Sequence, residues 1–199
     1  VNARVIVMAK APVAGLAKTR LIPALGAEGA AALAARLLDH TVRQAVTAGV
    51  GPVEVCVTPG PEHPAFERVR AAWAVELTLQ GDGDLGQRMR RAFERHRGPA
   101  LMIGTDAPAL DAATLRQAAA VLAATDAVFV PALDGGYALI GLHHPEPRLF
   151  EQLPWSTPTL MARTRERLAG AGLRHVELAP LADIDEPADL VQLPAGWLP

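Results

Sequence analysis

Both lysines of the chain, Lys10 and Lys18, fall within the stretch KAPVAGLAKTRL, and every other basic residue is an arginine. A compact, flexible ammonium differs from a guanidinium fork in what it can hold, so the clustering asks for a ligand. Between the lysines lie Ala11, Pro12 and Gly15, small or rigid residues that leave backbone N–H groups accessible to an anion. Lys18 and Arg20 add charge, and the combination suits a di- or triphosphate. The spacing is neither the P-loop pattern nor the dinucleotide G-x-G-x-x-G. A solvated basic loop, or one that supports the following helix, accounts for the same residues.

Four aspartates carry the complementary chemistry. Asp106, in IGTDAP, directly follows an apolar run on the edge expected to hold the basic loop. A carboxylate beside a phosphate is repulsive unless a divalent cation lies between them, and Mg²⁺ (or Mn²⁺) resolves the conflict. Asp106 also reads as a cap for the turn before Pro108, with Thr105 positioned to orient it or to meet a phosphate. Asp183 and Asp185, in DIDEP, face one way if the segment is extended and Ile184 points inward. Asp185 then completes a metal site, or serves as N-cap for a helix starting near Pro187. In LDGGY, Asp134 binds metal, substrate or its own turn, while Gly135 and Gly136 mark a close ligand approach or a plain hairpin. Tyr137 and Trp155 line a pocket or seal the fold. The histidines at 63, 96, 143, 144 and 175 show no metal-ligand spacing, and Cys56 sits alone in VEVCV, so zinc and thiol chemistry have no support.

The elements that must position these residues alternate β-branched runs with helical patterns, which predicts an α/β fold: a single-domain three-layer α/β/α sandwich with a mostly parallel sheet. Strands are expected at 4–10, 53–57, 75–79, 99–106 and 173–178, with two more across 126–142. Helices are expected over 28–48, 65–72, 112–124 and 157–171, and a further one opens at Asp84, whose pairing with Gln87 fits a capping box. Asp111 reads as the cap of the helix at 112. One domain spans 1–199, with a small acceptor-side lobe at 134–170.

Composition narrows the function classes. A net charge of -2 and 4% aromatic residues argue against nucleic-acid binding, by either a basic footprint or a stacking platform. RRAFERHR reads as a solvated helix face. The N-terminal run enters the fold too soon for a signal peptide, and no apolar run approaches membrane-spanning length, so a cytoplasmic protein without a membrane partner is expected.

Together, LGQRM followed by Phe93, IGTDAPAL, LDGGYALIGL, Trp155-Ser156 and DIDEPADL occur in the order seen in the DUF2064 family, which the chain resembles over nearly its whole length. These proteins are also called radical-SAM/selenodomain-associated transferase 1. They resemble GT-A-type nucleotide-diphospho-sugar transferases and, more distantly, phospholactate guanylyltransferase. The resemblance implies a GT-A-like fold, nucleotide phosphates on loop 10–20, and Mg²⁺ on Asp106 and Asp185. It also implies that the stretch from Gly81 through Asp84 to Arg88 borders the nucleotide, that DGGY lies on the acceptor side, and that a homodimer is the association such transferases often form. The loop KAPVAGLAKTR departs from the usual L-x-G-G-x-S/G-x-R form. Three readings follow: transfer of NMP from an NTP to a small phosphate or hydroxyl acceptor, aided by Lys18 and Arg20; glycosyl transfer from a nucleotide sugar, with Asp134 as base; or nucleotide binding without turnover.

Overall fold

The computed structural model describes residues 2–198. Its seven strands are β1 (Arg4–Lys10), β2 (Val53–Thr58), β3 (Glu76–Leu79), β4 (Ala100–Ile103), β5 (Ala127–Pro131), β6 (Tyr137–Leu142) and β7 (His175–Glu177). They form one sheet in the order β3-β2-β1-β4-β6-β5-β7, in which only β6 runs against its neighbours. Val7 pairs with both Val55 and Ile103, so the carboxyl ends of β1, β2 and β4 open onto one edge. That edge, where strand order branches about β1 and β4, is where α/β sheets usually bind ligands.

Five helices cover the sheet: α1 (Ile22–Ala48), α2 (Pro64–Trp73), α3 (Leu85–Glu94), α4 (Ala112–Leu122) and α5 (Leu160–Ala171). Alternation along the strands divides the core. Val5, Val7, Val55, Leu101 and Val128 bury against Leu38, Val42, Phe66 and Leu115 of α1, α2 and α4. Ile6, Cys56, Met102, Phe129 and Ile140 bury against Met89, Phe93, Met161 and Leu168 of α3 and α5. Within 134–170, β6 therefore lies inside the central sheet and α5 on its second face. A third cluster joins Leu21, Leu33 and Leu37 of the α1 region to Ile184, Leu190, Leu193 and Trp197.

Helix α1 starts six residues before the predicted point. Pro23 sits in its first turn, and Gly26, at φ 71°, kinks the chain, so the regular apolar spacing begins only beyond the kink. The expectation about membrane-length runs is also corrected. Thr19–Ala48 is long and apolar enough by length and composition to cross a membrane. Its leucines and Val42 nevertheless pack into the fold, as the core helix of an α/β sheet does.

RRAFERHR is not simply a solvated face. Glu54, on β2, is fully buried and receives Arg95 at 3.0 Å, Arg4 at 3.3 Å, Thr78 at 3.1 Å and a short bond from His96. A buried carboxylate persists only when paired and hydrogen-bonded in this way. Arg91 turns toward the cleft edge instead, where it holds the carbonyls of Gln80 and Asp82. The predicted capping box of Asp84 and Gln87 is present, and Asp111 caps α4 through Thr114 at 2.8 Å.

Candidate active site

A cleft of about 590 Å³ opens at the carboxyl edge of β1 and β4. Lys10, Lys18, Arg20, Arg88, Thr105, Asp106 and Asp185 all line it. The basic loop enters it through an internally bonded turn: Val13, Leu16 and Ala17 donate their N–H groups to carbonyls within the loop, and Ala11 donates to Thr58. Those four backbone donors are occupied, and Lys18, Thr19 and Arg20 are the part of the loop's far end that lines the cleft. Gly15 serves conformation, at φ 78° with open space where a side chain would stand, and does not line the cleft. Lys10 donates to the Leu16 carbonyl at 2.8 Å.

Lys18 is the centre of the charge pattern. Its side chain is 8% exposed, and its ammonium lies 2.5 Å from Asp106 Oδ1 and 3.8 Å from Asp185 Oδ1. It also donates to the Ile184 carbonyl at 2.5 Å. Its backbone is left-handed, at φ 47° and ψ 46°, a conformation unfavourable by about 1 kcal/mol for a residue with a side chain. Arg20 pairs with Asp185 Oδ2 at 2.5 Å.

The carboxylates arrive from opposite ends of the chain. Ile184, buried against α1, anchors DIDEP, and its N–H donates to the Asp106 carbonyl at 2.8 Å. The 3₁₀ turn at Pro187–Gln192 is capped by Asp189, which accepts from the N–H groups of Asp185 and Glu186, so the Asp185 side chain is free of capping duty. Asp106 likewise spends its carboxylate on Lys18 rather than on the Pro108 turn. Half-burial beside Asp134, Asp106 and Asp185 pushes Asp183 above the usual carboxylate range.

The donor set would fit Mg²⁺ or Mn²⁺ only with further ligands from substrate and water. Among the described residues no three acidic, histidine or cysteine side chains form a metal cage. One or two carboxylates, completed by substrate phosphates and water, are what Mg²⁺ ordinarily takes, and Asp106 and Asp185, which both line the cleft, would be the pair to hold it.

The walls were only partly foreseen. Tyr137 and Trp155 line the cleft together with Met8, Met89, Met102 and Leu160, an apolar side that periodicity alone assigns to core. The Tyr137 hydroxyl is buried with no hydrogen-bond partner, and burial pushes its phenol pKa up. Gly86 makes room for Trp155: a Cβ there would stand 2.7 Å from the indole and 2.2 Å from the Phe150 carbonyl. Gln80, buried, donates to the Ala9 and Cys56 carbonyls and closes the strand ends.

Ala11, Pro12, Gly81, Asp84, Asp134, Gly135 and Gly136 lie outside the cleft lining. Asp134 accepts from the Gly136 N–H at 2.8 Å, which is its own turn, and Gly135 approaches the Pro158 backbone. Arg88 reaches the cleft while donating to Gly83.

The chain has a GT-A-like three-layer α/β/α fold with a mostly parallel central sheet. More narrowly, the chain belongs to the DUF2064 family, described as an uncharacterized protein conserved in bacteria, which residues 41–157 match. No curated protein matches it. A Desulfovibrio desulfuricans G20 protein provisionally named a nucleotide-diphospho-sugar transferase is 26% identical, with a TM-score of 0.83 over 93% of this chain and 83% of that one. A nucleotidyl transferase from Methanothermobacter thermautotroptrophicus, 17% identical, superposes at 0.63 over 100% and 99%. Glucosyl-3-phosphoglycerate synthase from Mycobacterium tuberculosis, solved with Mn²⁺ and UDP, is 11% identical and superposes at 0.56 over 96% and 75%.

Proposed function

We propose that this protein transfers a nucleoside monophosphate from a nucleoside triphosphate to a small acceptor, releasing pyrophosphate. The observation that carries the reading is the meeting of Lys10, Lys18, Arg20 and Arg88 with Asp106 and Asp185 in one cleft. An acceptor oxygen attacks the α-phosphorus, and the bond to the bridging oxygen of the β-phosphate breaks. Lys10, Arg20 and Arg88 hold the triphosphate and neutralise the leaving pyrophosphate. Asp106 and Asp185 would hold Mg²⁺, which supplies Lewis-acid polarisation of the α-phosphate. Thr105 orients the donor beside Asp106.

A phosphate acceptor is already ionised, and this suits a cleft whose two carboxylates are both engaged by cations. Positioning then accounts for the rate. The apolar side at Trp155 and Met102 receives the part of a substrate that carries no charge.

Glycosyl transfer is the second reading, favoured by the name of the Desulfovibrio relative. It requires a base for the acceptor hydroxyl, and Asp134 is committed to its own turn outside the cleft. Calorimetric titration of the four ribonucleoside triphosphates and a panel of nucleotide sugars, with Mg²⁺ and with chelator, tests the choice. Metal-dependent binding of one triphosphate supports nucleotidyl transfer. Preference for an intact nucleotide sugar supports glycosyl transfer, and silence from both classes refutes the site.

A further inference from the structure

We infer that Lys18 is the resident cation of the Asp106–Asp185 pair, so that a divalent ion entering the cleft exchanges with its ammonium. The inference rests on the reading of those carboxylates as the metal-binding pair. The ammonium lies within reach of both, at 2.5 Å from Asp106 and 3.8 Å from Asp185. A divalent ion shared by the same two carboxylates would stand against a positive charge, and the repulsion disfavours holding both at such range.

The geometry favours exchange over a permanent tie. Both side chains line the cleft, and Asp106 is 51% exposed whereas Lys18 is 8% exposed, so the carboxylate is open to an entering metal while the ammonium is largely covered. Arg20 keeps Asp185 in place during the exchange, through the other carboxylate oxygen. An ammonium set free beside the cleft is then available to substrate phosphate. Metal and triphosphate binding would support each other through this one side chain.

The experiment is a titration of nucleotide-free protein with Mn²⁺, read by the electron paramagnetic resonance of the free ion. Lys18→Met should bind Mn²⁺ roughly tenfold more tightly than wild type, because the competing charge is gone. Lys10→Met removes a charge from the same cleft without touching the carboxylates and should change the affinity less than about twofold. Unchanged or weaker Mn²⁺ binding by folded Lys18→Met, or equal gains in the two variants, overturns the inference. So does an absence of Mn²⁺ binding in both wild type and Lys18→Met.

A second measurement needs no variant. Because the chain has only two lysines, ¹⁵N-lysine labelling gives two side-chain resonances. The Lys18 signal should move on Mg²⁺ addition while the Lys10 signal holds, and a stationary Lys18 signal at saturating Mg²⁺ counts against exchange. Nucleotide is absent throughout, so failure here leaves triphosphate binding to stand or fall separately.

Discussion

Two ionic clusters of opposite polarity divide the molecule. On β2, a buried carboxylate, Glu54, is surrounded by Arg4, Arg95, His96 and Thr78. At the cleft, a buried ammonium, Lys18, is surrounded by Asp106, Asp185 and a carbonyl. The first is closed: Glu54 has no solvent exposure, and both its oxygens are engaged. The second is open, since Asp106 and Asp185 are 51% and 41% exposed on their side chains. Satisfied buried charge holds structure together, whereas incompletely satisfied charge facing a cleft is where a ligand finishes the arrangement.

That contrast can be broken most severely at Glu54. Glu54→Ala strands the surrounding cations and should cost about 3 kcal/mol of stability in urea unfolding, while any folded fraction keeps its nucleotide affinity. Asp106→Asn should do the reverse. Nucleotide affinity in Mg²⁺ should fall on the order of thirtyfold, with stability changed by less than about 1 kcal/mol, because asparagine still offers Lys18 an acceptor and the pair is half-open to solvent. Equal effects of the two variants on stability would erase the distinction.

Gly86→Ala probes the apolar wall that faces the charged one. The added methyl pushes on Trp155 and the Phe150 carbonyl and should cost about 1–2 kcal/mol, with the indole fluorescence shifting as the ring moves. Asp111→Ala sharpens the comparison at its weak end, because this exposed cap belongs to neither cluster. It should cost about 1 kcal/mol at neutral pH. The N–H and hydroxyl of Thr114 hold Asp111 below the usual carboxylate range, so its contribution is full above the unfolded value. It is lost as pH falls through the lowered folded value, and the difference from wild type should close there.

Sequence patterning made local features legible and long-range pairings invisible. Strand β1 coincides with the run 4–10, and the caps at Asp84 and Asp111 follow from spacing of three residues. Lys18 and Arg20 could be nominated for anion binding, yet nothing local says that Lys18 meets Asp106, because the approach depends on Ile184 docking against α1. Glu54 sits in VEVCV on the same face as the buried Cys56, and nothing local in the strand names a partner for its charge. Its partners Arg95 and His96 come 41 and 42 residues later, just past the end of α3. DGGY is open between ligand and turn in the sequence: Gly135 makes its close approach to the Pro158 backbone, and Asp134 accepts from the Gly136 N–H of its own turn. Met8, Met89 and Met102 are indistinguishable from core until the sheet edge is built.

The most direct test of the central claim is pyrophosphate release. Wild-type protein would be incubated with Mg²⁺, each ribonucleoside triphosphate in turn, and a filtered small-molecule extract as the source of acceptors, beside Asp106→Asn. Pyrophosphate is expected from one triphosphate with wild type and none with the variant. Release of free nucleoside diphosphate from a nucleotide sugar, with no pyrophosphate from any triphosphate, would contradict it.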